Sequence, residues 1–122
     1  MQSCATANLN DKANSNNIIV RLYIGLSSTI NQEEIEIEDV ENILGKHFDG
    51  APLQEAIGFY KGEREKSLII TIANCCRWEK PKDQFRKSVN NLVLELRREL
   101  GQESILVEYS SYGETHIFEI LE

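Results

Sequence analysis

The strictest pattern in the sequence is the alternation of apolar residues from Ile18 to Leu26. The apolar positions on one side are Ile18, Val20, Leu22, Ile24 and Leu26. Successive side chains of a strand point to opposite faces, so this pattern predicts a strand with one face in a core. Residues 67–74 repeat the pattern, and Leu68, Ile70 and Ile72 share one side. Strands that each bury one face require a second layer of structure to cover that face.

A long amphipathic segment after Pro81 supplies that layer. Its apolar positions recur at helical spacing and are Phe85, Val89, Leu92, Val93, Leu96 and Leu100. Proline favours the first turn of a helix and glycine the position after its end, so Pro81 and Gly101 bound the predicted helix. Some twenty residues at ~1.5 Å each give a rod of ~30 Å, long enough to cross a small sheet.

The remaining segments complete an alternating order of strands and helices. A helix is expected from about Glu36 to His47, and a strand from Leu53 to Tyr60. A polar turn over residues 61–66 follows, with Glu63 and Glu65 at its solvated tip. Two further strands are expected over residues 104–109 and 115–120.

This order predicts an α+β fold, a ferredoxin-like β-α-β-β-α-β two-layer sandwich with an extra C-terminal strand. The chain has 122 residues, which suits one domain. Residues 18–122 are assigned to that domain, and the Asn-rich residues 1–17 to a flexible N-terminal arm.

Two helices cover only one face of such a sheet, and the sequence predicts unusual apolar character on the other face. The residues singled out there as ligand or interface positions are Ile19, Arg21, Tyr23, Tyr60, Ile69 and Thr71. Phe118 is a further apolar candidate for the same face. A contiguous exposed apolar patch marks a partner surface or a ligand pocket. The alternative is that the N-terminal arm or the last strand folds across it.

The segment from Asn74 to Pro81 is the most unusual in composition and contains Trp78, the single tryptophan of the chain. It joins a central strand to the long helix, where a binding loop is plausible. Trp78 is included among the candidate binding residues, although it could instead pack the start of the helix against the core.

Few patterns of known chemistry occur in the sequence. His47 and His116 lack the spacing of metal ligands, and the adjacent Cys75 and Cys76 would point to opposite faces of a strand. We therefore expect neither a metal nor a cofactor. The chain also has no nucleophile motif, no dinucleotide-binding glycine motif and no P-loop.

Composition limits the partners and the compartment. The formal net charge of −7 argues against nucleic-acid binding, and the third strand lacks the stacking aromatics of RNA-recognition domains. No apolar run approaches the ~20 residues of a membrane helix. An odd number of cysteines, two of them adjacent, and a start without signal-peptide features favour the cytoplasm.

Several short motifs resemble those of a group of small uncharacterised bacterial proteins. They are Tyr23-Ile-Gly-Leu26, Phe48-Asp-Gly50, Gly58-Phe59, Glu65-Lys-Ser67 and Gln102-Glu-Ser104, spread over roughly residues 20–108. The resemblance implies a ferredoxin-like domain. It also implies a role for Glu65 and Ser67, either in capping the hairpin by hydrogen bonding or in binding a ligand.

From the sequence alone, the leading interpretation is a cytoplasmic, homo-oligomeric binding or regulatory domain without enzymatic activity. It would associate through the face or the edge of its sheet. This expectation rests on analogy with other proteins of the same fold. The alternative is a small-molecule-binding enzyme or sensor, with a pocket between the sheet and a partner subunit. That pocket would be lined by Arg21, Tyr23, Tyr60 and Thr71.

Overall fold

The alternating N-terminal segment forms β1, Ile18–Gly25, at the centre of a five-stranded antiparallel sheet. The computed structural model describes residues 17–27, 33–75, 79–111 and 114–120. The other elements are α1 (Ile37–Leu44), β2 (Leu53–Tyr60), β3 (Glu63–Asn74), α2 (Lys82–Leu100), β4 (Ile105–Ser111) and β5 (Glu114–Ile120). The strand order β2-β3-β1-β4-β5 confirms the ferredoxin-like plan with an added C-terminal strand.

The core lies between one face of the sheet and the two helices. From α2 it receives the predicted stripe of six residues, all buried, and from α1 it receives Val40, Ile43 and Leu44. The sheet contributes the alternating residues of β1 and β3, of which Val20, Leu22 and Ile70 have no exposed surface. Gly101 ends α2 with φ 63° and ψ 42°, a left-handed conformation that suits a residue without a side chain.

Strand β2 has the predicted bounds, whereas β3 begins earlier than predicted, at Glu63. The connection consists of Lys61 and Gly62, with φ values of 51° and 81°. A two-residue turn with positive φ at both positions matches the twist of paired strands, so pairing continues up to the turn. Glu63 and Glu65 therefore lie within β3, opposite Tyr60 and Gly58, and the prediction of a polar turn over residues 61–66 was wrong.

The first helix is shorter than predicted, because α1 ends at Leu44 and a turn continues to His47. Phe118 was assigned to the wrong face. It lies opposite Val107 in β5 and stacks on Tyr109 on the helix side, with ring centroids 5.5 Å apart. Ile117 takes its place on the other face, since it lies opposite Glu108.

The N-terminal arm, as far as Asn16, lies outside the described residues. Within the described ranges, neither helix combines the length and the apolar character needed to cross a membrane.

Candidate functional site

A charged cluster occupies the middle of the sheet face that the helices leave uncovered. Arg21 and Glu108 are opposite each other on β1 and β4, and an Arg21 nitrogen lies 3.5 Å from a Glu108 carboxylate oxygen. The Tyr23 hydroxyl donates a hydrogen bond of 2.7 Å to the other oxygen of the same carboxylate. We call these residues the Arg21–Tyr23–Glu108 cluster. Two of its members, Arg21 and Tyr23, are among the predicted site residues.

The hydrogen bond to Glu108 raises the pKa of the Tyr23 hydroxyl above its usual value, and burial adds to this effect. Tyr23 therefore stays protonated at neutral pH and remains a donor. Tyr23 and Arg21 both contact the Glu108 carboxylate. The cluster therefore places one anion and one cation at defined positions on the sheet. Arg21 is the more exposed partner, which leaves part of its guanidinium accessible to a ligand.

The other predicted residues fall into two groups. Thr71 lies opposite Arg21, and Ile69 lies opposite Tyr23, so both border the cluster; Ile19 is one step further along β1 on the same face. Tyr60 is elsewhere, because it pairs with Glu63, eight positions from Thr71 along β3. At ~3.3 Å per residue this is a separation of ~26 Å. Trp78 and the side chain of Tyr60 lie outside the described part of the chain.

A cavity of about 490 Å³ lies at one end of the sheet, beside the last residues of β3. It arises because β2 begins at Leu53, opposite Ile70, so that the last residues of β3 have no pairing to β2. The Thr71 N–H donates to the Pro52 carbonyl at 3.1 Å, and beyond this bond the two segments separate. The lining residues are His47, Phe48, Asp49, Gly50, Ile72, Ala73, Glu79, Lys80 and Phe85.

The cavity combines an aromatic wall with charged groups. Phe48 and Phe85 meet edge to face with centroids 6.1 Å apart, and the Lys80 ammonium lies 5.6 Å from the Phe48 ring centroid. Lys80 is held from behind by the buried Asn74, whose amide donates to the Lys80 carbonyl and accepts from its N–H. Asp49 and Glu79 add two carboxylates. Apolar walls with a few placed polar groups are typical of small-molecule sites.

The cavity lies mainly on the helix side of the sheet, because Ile72 and Phe85 in its lining belong to the core. The Arg21–Tyr23–Glu108 cluster lies on the uncovered face. Ala73 is a lining residue whose position on β3 belongs to the face of the cluster.

One wall of the cavity is fixed to α2 by an ionic contact. His47 Nε2 lies 2.9 Å from one carboxylate oxygen of Glu95, and the Lys46 ammonium lies 3.0 Å from the other. The hydrogen bond from His47, and next the one from Lys46, lower the pKa of the Glu95 carboxyl. Glu95 is therefore ionised at neutral pH and accepts from both neighbours.

The sequence interpretation did not identify most of the cavity. The segment from Asn74 to Pro81 was proposed as a binding loop, and Glu79 and Lys80 belong to it. The other lining residues His47, Phe48 and Asp49 lie in the connection between α1 and β2, which has no periodic pattern that could predict a pocket.

Within the described ranges, no three His, Cys, Asp or Glu side chains are grouped so that they could hold a metal ion. Cys75 is half-buried, and Cys76 lies outside those ranges.

Two solved structures match this fold over nearly the whole length of both chains. A phage SAM lyase in complex with S-methyl-5'-thioadenosine is 22% identical, with a TM-score of 0.71, and the match covers 88% of this chain and 92% of that one. A phage SAM lyase in the apo state has the same identity and TM-score, with coverages of 96% and 95%. No protein-family model matches the chain, and no curated protein does.

These structures contradict the leading interpretation of the sequence, a binding or regulatory domain without enzymatic activity. Both are structures of an enzyme, and one holds a small molecule. The comparison fits better with the alternative, a small-molecule-binding enzyme or sensor. The error arose because the sequence shows no local catalytic motif, and the exposed apolar face was weighed more as a partner surface than as a ligand pocket. The resemblance to a bacterial group stays a prediction, since neither structure addresses it.

Proposed function

We propose that this protein is an enzyme that cleaves S-adenosylmethionine and releases S-methyl-5'-thioadenosine. The observation that carries the proposal is the near full-length correspondence of fold with an enzyme whose structure holds that nucleoside. The cavity and the Arg21–Tyr23–Glu108 cluster support it, because they offer groups that suit the nucleoside part and the amino-acid part of such a substrate.

The nucleoside end suits the cavity. Its volume of about 490 Å³ falls within the range of small-ligand pockets, ~300–1,000 Å³. Phe48 provides aromatic surface for a purine, and the buried Phe85 packs against it edge to face. Asp49 and Glu79 provide carboxylates that can accept hydrogen bonds from ribose hydroxyls, as acidic residues do in dinucleotide sites.

The amino-acid end suits the Arg21–Tyr23–Glu108 cluster. An arginine guanidinium matches the geometry of a carboxylate, so Arg21 is assigned to the carboxylate of the methionine part. Glu108 and the ring of Tyr23 are assigned to the positively charged groups of the substrate, the ammonium and the sulfonium, since carboxylates and aromatic faces both attract cations.

The bond to be broken joins the sulfonium sulfur to the γ-carbon of the amino-acid part. The sulfur keeps the electron pair and becomes the neutral thioether of methylthioadenosine. A lyase uses no water, so the γ-carbon gains its new bond from within the amino-acid part. Either the substrate carboxylate oxygen attacks it and closes a lactone, or a β-proton passes to the Glu108 carboxylate and a carbon–carbon double bond forms. The positive charge of the sulfonium disappears in this step, so a site that excludes water around the sulfur favours the cleavage.

The test is direct. The purified protein is incubated with S-adenosylmethionine, and the products are followed by liquid chromatography and mass spectrometry. We expect methylthioadenosine to accumulate. Arg21→Leu should lower kcat/KM about 10- to 100-fold, because a charge-assisted hydrogen bond contributes about 1.5–3 kcal/mol.

The control is Arg98→Leu, which removes an exposed arginine on α2 that pairs only weakly with Glu99, at 3.8 Å. This variant should keep the wild-type rate. Unchanged substrate after prolonged incubation with the wild-type protein would contradict the proposal. Equal rates for Arg21→Leu and wild type would contradict the assignment of Arg21.

We also propose that a second copy of the chain covers the uncovered face and completes the site. Leu106 and Ile117 remain 40% and 63% exposed there, beside the charged cluster. Apolar surface next to a polar cluster fits a subunit interface around a ligand. The odd cysteine number keeps the cytoplasm as the proposed location.

A further inference from the structure

The ionic contact at the wall of the cavity has a chemical consequence for His47. Glu95 is ionised and can only accept hydrogen bonds, so the proton of this contact resides on His47 Nε2. In a neutral imidazole with Nε2 protonated, Nδ1 has a lone pair and acts as an acceptor. Glu95 thus selects one tautomer of the histidine.

The free nitrogen is accessible. Among the described residues, every buried side-chain nitrogen or oxygen has a hydrogen-bond partner. Nδ1 of His47 has no partner among the same residues. Nδ1 is therefore not sealed inside the protein. Because His47 lines the cavity, a ligand bound there can reach this nitrogen.

We propose that His47, held in one tautomer by Glu95, accepts a hydrogen bond at Nδ1 from an N–H or O–H donor of the ligand in the cavity. This inference rests on the proposed function, in which the ligand is a nucleoside. The donor is either the exocyclic amine of the purine or a ribose hydroxyl. Glu95 is a positioning residue in this arrangement, since it acts through His47.

The test compares dissociation constants for methylthioadenosine, measured by calorimetry. His47→Leu removes the acceptor and should raise Kd about five- to tenfold, the effect of losing one hydrogen bond. His47→Asn places an amide oxygen near the position of Nδ1, so it should restore binding close to wild type. A purely structural role of His47 predicts instead that both variants behave alike, because both lose the contact with Glu95.

Glu95→Gln tests the positioning role. The amide can donate to Nε2 as well as accept from it, so the tautomer is no longer fixed, and Kd should rise by a few-fold. The matched control is Glu99→Gln, the same substitution one turn further along α2, which should leave Kd unchanged. If the Glu95→Gln variant binds methylthioadenosine with wild-type affinity, Glu95 has no positioning role.

A readout without ligand separates the two proposals. The ¹⁵N chemical shifts of the His47 ring in the free protein should show the proton on Nε2. A proton on Nδ1 would overturn the inference whatever the enzyme does. If wild type neither binds methylthioadenosine nor cleaves S-adenosylmethionine, the proposed function fails and this inference falls with it. If wild type binds but His47→Leu and His47→Asn are equally affected, only the inference fails.

The two candidate donors are distinguished with analogues. A 5'-methylthioinosine lacks the exocyclic amine, and a 2'-deoxy analogue lacks one hydroxyl. The analogue whose affinity no longer changes on His47→Leu identifies the missing partner. Equal sensitivity of both analogues would assign the contact to the remaining ribose hydroxyl.

Discussion

Asn74 is buried to 1% exposure and holds the connection that forms one side of the cavity. Its amide nitrogen donates to the Lys80 carbonyl at 2.9 Å, and its oxygen accepts from the Lys80 N–H at 2.8 Å. This pair of bonds closes the connection between β3 and α2 at a fixed length. Lys80 is thereby placed over Phe48.

Asn74→Asp should therefore destabilise the protein by about 2–3 kcal/mol, because a carboxylate cannot donate and would be buried beside a carbonyl. Urea unfolding measures the change. The control is Asn91→Asp, on the exposed side of α2, which should cost less than ~0.5 kcal/mol. A loss no larger in Asn74→Asp than in this control would show that the two hydrogen bonds do not hold the connection.

At the residue scale, the sequence predicted little of this site. Arg21, Tyr23 and Thr71 could be placed on the uncovered face, because strand alternation alone decides which face a residue takes. The cavity could not be predicted, since it depends on where β2 begins relative to β3. The contact between His47 and Glu95 joins residues 48 positions apart, and no local sequence pattern predicts it.

At the scale of elements, the added strand β5 is anchored by the stacking of Phe118 on Tyr109, with the rings only 9° from parallel. Burial raises the pKa of the Tyr109 hydroxyl, and the Arg86 charge partly opposes this. The folded state thus favours the neutral phenol more strongly than the unfolded chain does.

The sign of the pH dependence follows from this difference. Below the unfolded value of about 10, both states are neutral and the contribution of Tyr109 is fully present. As the pH rises above 10, the unfolded chain ionises first, and the free energy of unfolding falls. Tyr109→Phe keeps the stacked ring but removes the phenol, so its stability should fall less steeply between pH 9.5 and 11. Chemical unfolding at fixed pH tests this, and an unchanged slope would contradict it.

The elements themselves were largely predictable. The stripe of α2 and the alternation of β1 follow the periods of a helix and a strand, and both elements lie where the sequence placed them. The turn at Lys61 and Gly62 was misjudged because its charged neighbours look like a solvated loop. The face of Phe118 was misjudged for a related reason, since turn length decides the register of a hairpin.

At the scale of the whole molecule, the uncovered face is the surface that association would bury. Leu106→Glu places a charge in the centre of that face, next to Glu108, and should convert an assembly to monomers. Phe59→Glu is the control, because Phe59 is 75% exposed but projects from the opposite side of the hairpin. Light scattering coupled to size-exclusion chromatography measures the mass. A monomeric wild type at the concentration used for the enzyme assay would contradict the proposed covering by a second copy.

The central place of β1 also determines when this sheet can form. Ile18 pairs on one side with Asn74 and on the other with Ser111, so its two partners lie far from it in the sequence. Until β4 has been synthesised and has paired, β1 has an unpaired edge, and such an edge can recruit strands from other chains. Contacts this distant in sequence also slow folding. The sheet therefore cannot close before β4 is present, and a truncation that removes β4 leaves a molecule prone to aggregate.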